Sequence, residues 1–139
     1  MKDYLVEATD KTPEFRFTED LNRIKIKGKA IPEDSLKFWR PVLTWLNEFL
    51  AEDPKSIILD VELEYFNTSS SKCILDFLRR LMVYHKANDC VKINWYYEED
   101  DDDIREAGED YQALIKIPFE MIEKIWYFCN ISYWSSYNH

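Results

Sequence analysis

The chain reads as an α/β domain: a mixed β-sheet of about four strands with helices packed mainly on one face. Three observations carry that expectation. Residues 57–65 alternate Ile57, Leu59, Val61, Leu63 and Tyr65 with Asp60, Glu62 and Glu64, the period of a strand buried on one side. Ile74, Phe77, Leu78, Leu81, Met82 and His85 then recur at helical spacing. Val91, Ile93, Trp95 and Tyr97 return to a period of two. A strand, helix, strand unit with a crossover of that length favours parallel strands joined right-handedly. The polar residues at alternate strand positions leave one sheet face for the helices and the other for water.

Before that unit, Tyr4 to Val6 is a short apolar patch, a first strand or a docking arm. Phe15 and Phe17 flank Arg16, Glu19-Asp20-Leu21-Asn22 reads as a turn, and Ile24 and Ile26 alternate with Lys25, Lys27 and Lys29. This is a hairpin signal. If the lysine strand neighbours the strand carrying Asp60, Glu62 and Glu64, opposite charges face each other, each pair worth about 0.2–1 kcal/mol. A ligand surface is the other reading of three lysines, but such strips are usually solvated. From Glu33 to Leu50 the apolar residues Leu36, Trp39, Val42, Leu43, Leu46, Phe49 and Leu50 make a helical stripe. Pro41 inside it predicts a kink or a restart, and Asp53-Pro54 closes the element. Trp39 and Trp45 are read as core packing and half-exposed surface rather than as a cofactor box.

Two later stretches stand apart. Glu98 to Asp103 is six consecutive acids. Oxygen ligands suit magnesium or calcium, yet the spaced ligands and central glycine of a calcium loop are missing. Acids ahead of a helix beginning near Ile104 are favoured by its dipole, and a run of like charge also suits a recognition surface. Residues 125–139 hold Trp126, Tyr127, Phe128, Tyr133, Trp134 and Tyr137 with little charge. Exposed, they would form an interaction patch; folded back, each buried aromatic gains about 1.5–3 kcal/mol. The expected division is a folded domain over 1–124 and an aromatic C-terminal tail over 125–139, packed back on it.

Several function classes are disfavoured. At 139 residues the chain is one domain's worth. A net charge of −9 argues against nucleic acid and against anionic membranes. No apolar run approaches the ~20 residues of a membrane span, and Met1-Lys2-Asp3 does not open a signal peptide. Cys73, Cys90 and Cys129 are too widely spaced for a disulfide framework or a zinc pattern. A cytoplasmic chain without a metal or cofactor is expected. Gly28 and Gly108 are the only glycines, so there is no glycine-rich phosphate loop. Cys73 and His85 are separated by roughly 18 Å of helix rise and cannot form a dyad. The pattern is that of a binding protein rather than an enzyme.

The stretch Glu64-Tyr65-Phe66-Asn67-Thr68-Ser69-Ser70-Ser71-Lys72-Cys73 lies where strand becomes helix. Four consecutive hydroxyls sit at a helix start, where unpaired N–H groups and the positive dipole end favour an anion. A phosphate on one of them would be well placed. Thr68 or Ser69 as a plain N-cap is the competing reading, although a cap needs one hydroxyl and not four.

Tyr65-Phe66-Asn67-Thr68-Ser69-Ser70-Ser71-Lys72, followed by Asn94-Trp95-Tyr96-Tyr97-Glu98-Glu99-Asp100, resembles the SiaC family of bacterial regulatory phosphoproteins. These are small STAS-like proteins, similar in fold to anti-sigma-factor antagonists. The resemblance extends over Gly28 to Leu50, Ala107-Gly108-Glu109 and Ile117-Pro118-Phe119, and runs from about Phe15 to Ile122. It implies that Thr68 is phosphorylated by a dedicated serine/threonine kinase and dephosphorylated by a metal-dependent phosphatase. It also implies that the unphosphorylated form binds and activates a diguanylate cyclase, in cyclic di-GMP signalling and biofilm control. On that implication Phe66, Asn67, Ser69, Ser70, Ser71 and Lys72 are the partner-binding residues. The residues alone leave one alternative, a small-ligand or divalent-metal sensor built on Glu98–Asp103.

Overall fold

The computed structural model describes residues 1–124. Its elements are β1 (Tyr4–Val6), β2 (Glu14–Thr18), a 3-10 turn (Glu19–Leu21), β3 (Arg23–Ala30), α1 (Ser35–Ala51), β4 (Ile57–Phe66), α2 (Thr68–Asn88), β5 (Val91–Glu98), α3 (Asp102–Leu114) and β6 (Phe119–Lys124). The strands form one sheet in chain order, β1-β2-β3-β4-β5-β6. The first three are antiparallel, and β3 to β6 run parallel.

The mixed sheet is as expected, but among the described residues it has six strands rather than about four. Among the described residues both additions are edge strands, which need only one apolar neighbour. Three-residue β1 is too short to show a period, and in β6 Ile122 sits between Met121 and Glu123 and breaks the alternation. The three helices each connect neighbouring parallel strands and step across the sheet in one direction. Crossovers of one hand taken in one direction place every helix on the same face.

That face is the core. Phe15, Phe17, Ile24, Ile26, Leu59, Val61, Ile93 and Trp95 are buried beneath Trp39, Val42, Leu46, Phe49, Phe77 and Leu78. Trp45 is buried too, stacked between Tyr4 and Phe49 with ring centroids 5.8 and 5.1 Å away. Leu36 is 60% exposed. At 3.6 residues per turn, admitting Trp45 shifts the centre of the stripe and leaves Leu36 more than about 100° from it. Helix α1 runs through Pro41 without restarting. Pro41 lies on the exposed side, where water can serve the carbonyl that the missing N–H leaves unpaired.

The opposite sheet face carries the charges. Lys25 stands opposite Asp60 and Lys27 opposite Glu62 in the β3–β4 register. Lys27 does approach Glu62, at 3.8 Å. Asp60, however, is held by Arg23 through two hydrogen bonds of 2.5 and 3.1 Å, with the Asn94 amide adding a third at 2.9 Å. The third expected pair does not form: the register slips between Gly28 and Lys29, so Lys29 faces Tyr65 rather than Glu64. Gly28 has φ +121°, the backbone conformation that glycine supplies at such an irregularity. Among the described residues no helix is long and apolar enough to cross a membrane.

Candidate functional site

Strand β4 ends at Phe66, and the chain is caught at once by its neighbours. The Asn67 N–H donates to the Ala30 carbonyl at 3.0 Å, tying the junction to the end of β3. Asn67 itself is the N-cap of α2: its Oδ1 accepts from the Ser70 N–H at 2.9 Å. Its Nδ2 donates to the Pro32 carbonyl at 3.4 Å. Neither Thr68 nor Ser69 is the cap, as the plainer reading of the hydroxyl run required. Asparagine ranks with serine at this position and above threonine, and it comes first in the chain.

With capping assigned to Asn67, the four hydroxyls separate into different duties. Ser70 is fully buried and accepts from the Trp39 indole N–H at 3.2 Å. Ser69 is exposed, but its hydroxyl lies 2.6 Å from that of Ser35 in the first turn of α1 and donates to Asn67 Oδ1 at 3.3 Å. Ser71 is half-buried, and its carbonyl accepts from the Tyr111 hydroxyl of α3 at 2.9 Å. Thr68, the first residue of α2, alone of the four is exposed with a hydroxyl that holds no partner among the described residues. An exposed, unpartnered hydroxyl therefore sits on a junction held by β3, α1 and α3.

Around Thr68 the surface is mixed. Lys72, one turn further along α2, is exposed, as is Tyr65. Phe66 is half-buried with its ring edge-on to Trp95, centroids 6.5 Å apart. Burial, assisted by the Asp76 charge, pushes the Cys73 thiol up from its usual range, away from reactive thiolate. Burial likewise pushes up the Tyr111 phenol, with a side-chain hydrogen bond from Ser71 pulling the other way. Tyr111 therefore stays a neutral donor to Ser71 in the neutral pH range.

The acidic run lies at the same end of the sheet. Glu64, Glu98, Asp100, Asp101, Asp102, Asp103, Leu63 and Lys124 line an open cleft of about 500 Å³. Asp101 caps α3 by accepting from the Ile104 N–H at 3.0 Å, and Asp102 and Asp103 fill its first turn, where the dipole favours acids. No group of three or more His, Cys, Asp or Glu side chains among the described residues is placed to hold a metal ion.

Ser35, Trp39, Pro32 and Tyr111 hold the site and were not legible in the sequence. Each reaches the junction from more than thirty positions away, and no local pattern marks such a contact. The aromatic stretch 125–139, expected to pack back on the domain, lies outside the described residues.

Two stability results follow from this division. Asn67→Ala is expected to cost about 0.5–2 kcal/mol by loss of the cap, read as a lower urea midpoint. Thr68→Ala should stay within about 0.5 kcal/mol of the parent, as an exposed side chain without partners. A larger loss for Thr68→Ala than for Asn67→Ala would overturn the assignment of the cap.

Residues 6–124 match the family model for SiaC family regulatory phosphoproteins. An uncharacterized protein of Pseudomonas aeruginosa (strain UCBPP-PA14) is 29% identical over 119 residues, which are 86% of this chain and 94% of that one. The crystal structure of apo-SiaC from P. aeruginosa superposes with a TM-score of 0.79 at 30% identity, over 88% of this chain and 99% of that one. A chain in the crystal structure of the P. aeruginosa diguanylate cyclase SiaD in complex with its activator SiaC gives a TM-score of 0.82 at 28% identity. That match covers 88% of this chain and 100% of the other.

Proposed function

The chain belongs to the SiaC family of regulatory phosphoproteins, and from this premise we propose that it is a phosphorylation-switched adapter with Thr68 as the acceptor. In its unphosphorylated form it binds and activates a diguanylate cyclase; a kinase and a metal-dependent phosphatase set the state of Thr68. The relative solved with SiaD as that cyclase's activator supports the choice of partner. The observation that carries the choice of residue is the exposure and unpaired hydroxyl of Thr68 on a junction where the Ser69 and Ser70 hydroxyls are engaged and Ser71 is half-buried.

The geometry suits a switch acting through binding. A kinase needs an acceptor oxygen it can reach without dismantling structure, and Thr68 costs no hydrogen bond to expose. The partner face comprises Phe66, Asn67, Ser69, Ser71 and Lys72 around it. Ser70, enclosed beneath Trp39, serves by holding the helix start in place rather than by touching a partner.

With the cognate kinase supplied, phosphate is expected on Thr68 and not on Ser69, Ser70 or Ser71, as read by fragmentation mass spectrometry. Modification mainly at a serine would reject the assignment. Pull-down from a native lysate supplies the second half of the test. The cyclase should be retained by Thr68→Ala and lost by Thr68→Asp.

A further inference from the structure

We propose that an apolar groove beside the start of α1 is the docking site of this chain's own segment 125–139. The groove has a volume of about 560 Å³; Val6, Pro32, Phe38, Pro41 and Val42 give it an apolar wall, and Lys11, Glu33, Asp34 and Lys37 line it as well. That volume falls in the range of clefts that bury small ligands, about 300–1,000 Å³. The acidic cleft and the hollow on the open sheet face are lined mainly by charged side chains instead.

Three observations select the occupant. Segment 125–139 carries Trp126, Tyr127, Phe128, Tyr133, Trp134 and Tyr137 and not one Asp, Glu, Lys or Arg. Such a stretch gains more by entering a groove whose exposed surface is mainly apolar than by lying on a charged face. The family match stops at residue 124, so the segment is not part of the shared framework. Finally, β3 and β6 run in the same direction, so Lys124 leaves the sheet at the end where β3 delivers Pro32. Three strand spacings separate those points, about 14 Å. Fifteen extended residues reach about 50 Å, so Tyr133 and Trp134 arrive with chain to spare.

The route has a consequence for the switch. Between β6 and β3 lie the ends of β5 and β4, and β4 ends beside Thr68. A segment passing from Lys124 to the groove crosses the face proposed for the partner, so docking and partner binding compete. The competition rests on the adapter reading; the docking does not.

The 139-residue chain with p-benzoylphenylalanine in place of exposed Lys37 tests the docking directly. Irradiated at low concentration and digested, it should yield cross-links within one chain from position 37 to residues 125–139. Tyr133→Ala combined with Trp134→Ala should reduce their yield at least tenfold. The same photoreactive residue in place of Val83, 71% exposed near the far end of α2, should give none. Lys11, also exposed on the groove, provides a second reporter position if the Lys37 variant folds poorly. Cross-links confined to residues 1–124, or links between chains that grow with concentration, would overturn the proposal. Neither result bears on whether Thr68 accepts phosphate, so the docking and the switch fail separately.

Discussion

Phosphorylation of Thr68 is expected to lower partner affinity a hundredfold or more while leaving the fold in place. The modification adds a charge of about −1.5 to −2 at the first residue of α2. Within the chain, the free N–H groups and positive end of that helix accept the charge. Lys72 stands one turn away and exposed. The hydrogen bonds that hold the junction run through Asn67, Ser69, Ser70 and the Ser71 carbonyl, none of which uses the Thr68 hydroxyl. A partner packed over this face must strip water from the dianion, and an uncompensated charge at an interface costs several kcal/mol. Each 1.4 kcal/mol is tenfold in affinity. Amide exchange of both forms, run beside affinity measurements, checks the mechanism. Protection should change only within about residues 66–75. Widespread change would point to a conformational switch, and unchanged affinity would reject the switch altogether.

The second large effect is expected at Gly108. A Cβ built there lies 2.5 Å from Cδ1 and Nε1 of Trp95 and 2.7 Å from the Met121 methyl. The methionine can swing away, but the indole cannot. Trp95 is fully buried, and its N–H is committed to the Ile104 carbonyl at 2.9 Å. Gly108→Ala should therefore cost about 1–3 kcal/mol by overpacking, and Gly108→Val more, against a typical total stability of about 5–15 kcal/mol. Urea unfolding measures both. Because α3 also delivers Tyr111 to the Ser71 carbonyl, amide protection of the first turn of α2 should fall with them. A Gly108→Val chain as stable as the parent would show that α3 can lift off the sheet freely.

Much of this architecture was legible because it is local. The alternations over 15–17, 24–29, 57–65 and 91–97 marked four strands, helical spacing located α1 to within about two residues, and the spacing over 74–85 marked the body of α2. What escaped was set by distance or by weak pattern. β1 is too short to display a period, and β6 mixes its faces. The turn of the α1 stripe toward Trp45 depends on Tyr4, forty-one positions earlier, supplying a stacking partner. At the site, the hydroxyl run was visible but its division of labour was not. Asn67, Ser69 and Ser70 differ in role only because Pro32, Ser35 and Trp39 arrive from another helix and loop. The same holds for charge: the β3–β4 facing was readable, but Arg23 taking Asp60 from Lys25 required the register.

The strand order has a consequence for how the domain is made. Because, among the described residues, each strand pairs only with its predecessor and successor, no strand there waits for one beyond the next to be synthesised. Chains emerge at about 5–20 residues per second, so each crossover can close within seconds of its strand appearing. Loop closure is then paid over short separations, the condition under which sheets form fast. The growing edge is always the latest strand, and that edge stays open to pairing until the following crossover closes on it. The interval of greatest hazard falls after β4, when its long unpaired edge waits through the twenty-one residues of α2 for β5. A helix start capped by Asn67, which lets α2 form on its own schedule, shortens that interval.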